Sequence, residues 1–289
     1  MVVSKYAAQL FPQLNTTFRN LTIAIPFFAS RPISLNVSGS GLVALGAMVL
    51  ATALLYRNIG MVGNIVRFLW VGVALTVAWV VVAGFSHFHS GLVFAARDWH
   101  IHLDQAFFHG MASALLFANY DYWGYYNVCF LGEEVRRPEK TIPRAILISI
   151  GLVAVLYLLM NVCLLGAIDW HTFVAQKYSA TYTAVRYAVF ADMMRSVYGS
   201  WAARAVSVLI IWTGFASVLA LLPGYSRVLY AAAKDGALFR PLANLHPRHL
   251  FPNRALLQLG GIASLLCFFD LADLVTALVV IRIICLFVL

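Results

Sequence analysis

Asn119, Tyr120, Asp121, Tyr122 and Gly124 sit together inside an apolar stretch that begins near Phe107 and runs to about Gly132. The stretch is long enough to cross a bilayer as a helix. A carboxylate placed there is costly, and membrane proteins retain one mostly where it faces a cavity or an ion path. Asn, Asp and Gly are also poor helix interiors, so residues 117–124 are expected to interrupt helical hydrogen bonding at mid-membrane. Backbone N–H and C=O groups freed by such a break can hold a solute or an ion. The candidate solute-contacting set is therefore Phe117, Asn119, Tyr120, Asp121, Tyr122 and Gly124. The plainer alternative makes Asp121 a polar residue hydrogen-bonded to a neighbouring helix. Trp123, Tyr125 and Tyr126 fit helix packing as well as a gate.

A charged stretch follows at once: Glu133, Glu134, Arg136, Arg137, Glu139, Lys140 and Arg144, punctuated by Pro138 and Pro143. Its alternating signs read as a solvated loop. Pro143 suits the first turn of the next helix, where its missing N–H has no partner to lose.

The elements that must position these residues are membrane helices. Hydrophobic residues make up 62% of the 289, charged residues 11%, and the mean hydropathy is +0.85. Soluble domains carry about 25% charged residues, so most of this chain belongs in lipid. Apolar spans are expected at about 41–56, 65–85, 107–131, 145–168 and 203–226. A last pair, 255–269 and 272–289, is split at Phe269-Asp270-Leu271-Ala272-Asp273, because Asp is a good helix N-cap. The expected fold is an all-α, polytopic bundle in one transmembrane domain, 1–289, with 1–40 as an external N-terminal segment.

Basic residues near span ends set the orientation. Arg57 and Arg67 flank one short loop, the 133–144 stretch fills a second, and Arg227, Lys234, Arg240, Arg248 and Arg254 fill a third. All three fall on one face, which is therefore cytoplasmic. Met1 to Asn15 lacks the apolar run of a signal peptide. Ser38-Gly39-Ser40-Gly41 reads as linker and cap at the start of a span. The net charge of +9 is spread over loops, which fits topology and anionic headgroups rather than nucleic acid. Cys129, Cys163, Cys267 and Cys285 lie in apolar spans without ligand-like spacing, so no disulfide framework or zinc site follows. His87, His89, His100, His102 and His109 cluster between two spans, and a mobile external loop explains them better than a metal site. No cofactor, catalytic residue or metal ligand is expected.

Three segments, in order, resemble the amino acid–polyamine–organocation (APC) permeases. Tyr120 to Arg144 looks like that family's sixth helix and following loop. Phe215-Ala216-Ser217-Val218 through Tyr225-Ser226-Arg227-Val228-Leu229-Tyr230, then Lys234-Asp235-Gly236, resembles the end of its eighth helix and the loop after it. Tyr56-Arg57-Asn58-Ile59-Gly60 is similar to the loop joining its fourth and fifth. The resemblance implies part of a LeuT-type inverted-repeat fold, beginning before the fourth helix and ending inside the tenth, hence a fragment or truncated gene product. It also implies a cytoplasmic gate using Glu133, Glu134 and Arg227, and an ion-coupling hydroxyl at Ser217. For that hydroxyl, a bond to its own helix is the plainer account. Proton-coupled members carry a lysine in the fifth helix, whereas this chain has no Lys or Arg between Arg67 and Arg97.

The leading expectation is a secondary active transporter of amino acids or related amines in the plasma (inner) membrane, alternating access around the broken helix. Its partners would be the amino acid or amine, a coupling H+ or Na+, and the bilayer. A non-transporting structural or regulatory membrane protein is the second class. A His-rich, metal-dependent membrane enzyme using Asp98 and Asp104 is the third.

Overall fold

In hydrocarbon every backbone N–H and C=O must be satisfied within the protein, and an apolar chain meets that demand by coiling into helices. The computed structural model describes residues 2–23, 33–57, 62–93, 103–169, 189–247, 251–269 and 271–288. Ten α-helices lie among the described residues: α1 Val2–Leu10, α2 Gly39–Arg57, α3 Val62–Ser86, α4 Ser90–Val93, α5 Gln105–Asp121, α6 Pro138–Ala167, α7 Val189–Tyr198, α8 Ser200–Lys234, α9 Asn253–Leu266 and α10 Leu271–Val288. A 3-10 segment, Tyr125–Glu134, joins α5 to α6. Strands β1 Thr17–Ile23 and β2 Ile33–Ser38 pair antiparallel ahead of α2. Among the described residues four helices (α2, α3, α6 and α8) are long and apolar enough to cross a membrane. The chain is an all-α, polytopic membrane bundle.

Helix starts follow local chemistry. Gly41 N–H donates to the Ser38 hydroxyl at 3.2 Å, so Ser38 caps α2 and Gly39-Ser40-Gly41 is its first turn. Phe107 N–H donates to the Asp104 carboxylate at 2.8 Å, capping α5. The charged stretch is less of a loop than its composition suggests, for only Val135–Arg137 is neither 3-10 nor α-helical. Arg137 takes a left-handed conformation (φ 52°) and Pro138 occupies the first turn of α6. Pro143 therefore lies in the second turn, where its missing N–H does remove an intrahelical bond. Arg227 and Lys234, expected in a loop, ride on α8, which continues to Lys234.

Helix α8 organises the bundle. Its early residues Ala202, Ala203 and Val206 close one buried cluster with Tyr6, Val80, Ala83 and Met193. Its middle residues Ala216, Leu219 and Leu222 close a second with Ala51, Leu55, Leu69 and Leu256. So α1, α2, α3, α7 and α9 all dock on one rod. Opposite, Leu147, Ile148, Leu152, Val155 and Leu158 of α6 are exposed, the surface that lipid would cover.

Small residues set the closest helix approaches. The indole of Trp212 on α8 lies directly against Gly72 of α3 and donates to the Leu69 carbonyl at 3.2 Å. A Cβ added at Gly84 of α3 would sit 2.7 Å from Cys163 Cβ and 2.8 Å from its sulfur on α6. Without a hydrophobic force between helices in lipid, such close packing is what holds them together. Gly84→Ala should therefore destabilise the bundle by about 1–3 kcal/mol, the usual cost of overpacking, read as a lower thermal unfolding midpoint in detergent.

Helix α7 carries a half-buried carboxylate outside the spans. Burial raises the Asp192 pKa, and Arg195, 3.6 Å away, only partly opposes it. The same burial, helped by the Asp192 charge, pushes the nearby Tyr6 hydroxyl up to about 12. Because the folded-state pKa of Asp192 is raised, its contribution to stability is present below the ordinary carboxylate range and is lost as pH rises through the raised value. Asp192→Asn should remove that loss, so the variant gains thermal stability over the parent chain at neutral pH and not in acid.

Candidate functional site

The helix that enters the polar stretch ends inside it. Residues 117–121 form the last turn of α5, Tyr122 to Gly124 turn, and the chain continues as the 3-10 segment. The interruption thus falls in the C-terminal half of the expected window. Gly124 is not in a glycine-only conformation (φ −76°, ψ −18°), so the break does not rest on positive φ. What changes is the hydrogen-bond pattern: Asn127 N–H donates to the Gly124 carbonyl at 3.3 Å and Val135 N–H to the Gly132 carbonyl at 3.3 Å. Such i→i+3 bonds have poorer geometry, and long 3-10 runs are uncommon outside hinges and strained sites.

Side chains hold the junction. Trp123 Nε1–H donates to Asn119 Oδ1 at 3.1 Å, bridging the last turn of α5 and the turn itself. Tyr122 meets Tyr157 of α6 edge-on, ring centres 5.4 Å apart. A cavity of about 390 Å³ lies beside the break, lined by Tyr122, Gly124 and Tyr125 on one side and Ile146, Ser149 and Tyr157 of α6 on the other. Its size falls within the range of small-molecule sites. The Asn127 side-chain oxygen is buried and accepts no hydrogen bond among the described residues.

Of the expected solute-contacting residues, the fold brings Tyr122 and Gly124 to one cavity and turns Asn119 onto the Trp123 indole. The side chains of Phe117, Tyr120 and Asp121 lie outside the described residues, as do those of Glu133 and Glu134. Arg227 is half-buried on α8, two residues past Tyr225, whose ring lies 5.5 Å from that of Phe130 in the 3-10 segment. That contact, rather than one through α5, makes the break a neighbour of α8. The Ser217 side chain is exposed and its hydroxyl donates to the Thr213 carbonyl at 3.0 Å, the plainer of its two readings. His100, His102, Asp98 and Asp270 lie outside the described residues. His87 is tied to Ser86 at 2.9 Å and stacks edge-on with Tyr198. Among the described residues no three His, Cys, Asp or Glu side chains converge as a metal site.

One residue of the site escapes a reading based on loop charges. Arg282 is the lone charge between Leu274 and Leu289. Its guanidinium carbon stands 4.3 Å from the Trp123 ring centre and 5.0 Å from that of Tyr126, and Nη1–H donates to the Tyr126 hydroxyl at 3.2 Å. A charge inside an apolar helix is itself a signal, independent of which face the loops occupy.

The sequence model of the family described as amino acid permease matches residues 1–289. An uncharacterized transporter of Mycobacterium tuberculosis is 32% identical over 229 residues, covering 78% of this chain and 48% of the relative. The human cystine/glutamate transporter is 30% identical over 176 residues, 61% of this chain and 31% of the relative. The branched-chain amino acid permease of Bacillus subtilis is 25% identical over 159 residues, 55% of this chain and 32% of the relative. The chain spans about half the length, or less, of these curated relatives.

A Cβ at Gly124 would meet nothing within 4 Å. Its backbone is already in the helical region, so Gly124→Ala should be accommodated and should stabilise the junction by about 0.5–1 kcal/mol through lower chain entropy. Slower amide exchange over 122–127, with α8 unchanged, is the expected readout.

Proposed function

Because the chain belongs to the amino acid permease family, we propose that it serves in a secondary active transporter of amino acids or related amines, working by alternating access around the α5 break. One observation carries the reading: helix α5 gives way at Tyr122–Gly124 to a 3-10 segment beside a cavity of about 390 Å³, within the range of small-molecule sites. The unpartnered Asn127 oxygen adds support, since a solute ammonium or a coupling cation would supply its missing donor. Relatives named for cystine/glutamate and for branched-chain and cationic amino acids are similar to this chain in sequence. Their spread supports amino acids as the class and leaves the side chain to local residues. Asp121 closes α5 at the break, the position for a carboxylate that binds a cationic amine or carries a coupling proton. Glu133, Glu134 and Arg227 are the proposed cytoplasmic gate and Ser217 the proposed ion-coupling hydroxyl. The membrane proposed is the plasma (inner) membrane.

Uptake of labelled leucine, glutamate, arginine and putrescine is measured in proteoliposomes, using the chain with any upstream segment its gene encodes. Asp121→Asn should lower uptake of the cationic solutes several-fold or flatten the pH profile between about 5 and 8, because a bound cation lowers the pKa of a carboxylate beside it and so couples protonation to binding. Trp123→Phe should be milder. Equal rates for Asp121→Asn and the parent at every pH would remove Asp121 from the substrate and proton path, and no uptake of any probe would overturn the transport reading.

A further inference from the structure

The break at Tyr122–Gly124 has little backbone of its own to hold its direction, and the side chains that span it converge on a distant helix. Asn119, in the last turn of α5, accepts the Trp123 indole N–H at 3.1 Å. The guanidinium of Arg282, on α10, lies over the Trp123 ring at 4.3 Å and over the Tyr126 ring at 5.0 Å, and donates to the Tyr126 hydroxyl at 3.2 Å. Tyr126 in turn packs on Phe130 at 5.7 Å, and Phe130 on Tyr225 of α8 at 5.5 Å. One continuous set of contacts thus runs from α10 through both sides of the break to α8.

We propose that Arg282 is a positioning residue for the binding segment: clasped by Trp123 and Tyr126, its guanidinium fixes the α5 to 3-10 junction against α10. The inference rests on reading 117–134 as that segment. An arginine within an apolar helix is expensive to insert, and among the described side chains no carboxylate pairs with it. Among the described residues two aromatic faces and the Tyr126 hydroxyl lie against the charge, and cation–π contacts gain strength when water is excluded. Helix α10 also packs directly on α5. Arginine suits this task through its planar, weakly hydrated fork. Lysine, a compact and strongly hydrated point charge, cannot lie flat on two rings. A shift of α10 would accordingly carry Trp123 and Tyr126 with it and re-aim the break.

The test needs no solute, so it succeeds or fails separately from the transport reading. The whole chain, in lipid nanodiscs, is labelled with 5-fluorotryptophan, and the resonance of Trp123 is identified by its loss in Trp123→Phe. In Arg282→Lys that resonance should move, while those of the other six of the seven tryptophans stay in place. Amide exchange over 122–130 should rise roughly tenfold with α8 unchanged, the scale expected for losing desolvated cation–π contacts. Trp123→Leu should raise exchange over the same residues, and the double variant should be little worse than either single one. That comparison also serves if Arg282→Lys folds poorly. An unmoved Trp123 resonance, exchange at parent levels in Arg282→Lys, or additive effects in the double variant would overturn the proposal and leave Arg282 acting through its charge alone.

Discussion

The structure depends on satisfying backbone hydrogen bonds without water. Helices α2, α3, α6 and α8 meet that demand along most of their lengths, with Pro143 in α6 and Pro223 in α8 as interruptions. The α5 to 3-10 junction meets it by a different pattern of i→i+3 bonds together with side-chain support. Around that exception gather the cavity, the orphan Asn127 oxygen, the aromatic cluster and Arg282. Irregular backbone in a membrane survives only where protein or an internal cavity surrounds it. The departure from regular helix and the candidate site therefore share one physical cause.

Helix α8 gives this exception a fixed frame. It closes both buried clusters, accepts α1 through Gly214, whose added Cβ would meet Val3 at 2.9 Å, and touches the 3-10 segment through Tyr225. The close approach that Gly214 permits is thus to the N-terminal helix. At 35 residues α8 is about 52 Å long, well beyond the roughly 30 Å of hydrocarbon, so its basic C-terminal end reaches past the apolar layer.

Much of this was legible in the chain. The apolar spans carry their own instructions, because a run of about 20 apolar residues has few options besides a membrane helix. The Ser38 to Gly41 stretch reads as a cap at the start of a span, and Ser38 does cap α2, whereas the capping of α5 by Asp104 came only from the structure. Asn119, Asp121 and Gly124 announce an interruption because each is a poor helix interior. The charged stretch misleads for a physical reason: a left-handed Arg137 and Pro138 start α6 early, so Glu139, Lys140 and Arg144 sit on a helix that composition alone reads as loop.

What the sequence determined by itself is the class and the weak point: an all-α membrane bundle of the amino acid permease family, broken near Asp121, since hydropathy and helix propensity act over a few neighbouring residues. Only the tertiary structure decided what surrounds the break. Nothing in local pattern brings Arg282 to Trp123, Tyr157 to Tyr122 or Tyr225 to Phe130, pairs separated in sequence by between 35 and 159 positions. Those encounters follow from how the helices stack on α8, which small residues such as Gly72 and Gly84 permit and a reading of one segment at a time cannot contain.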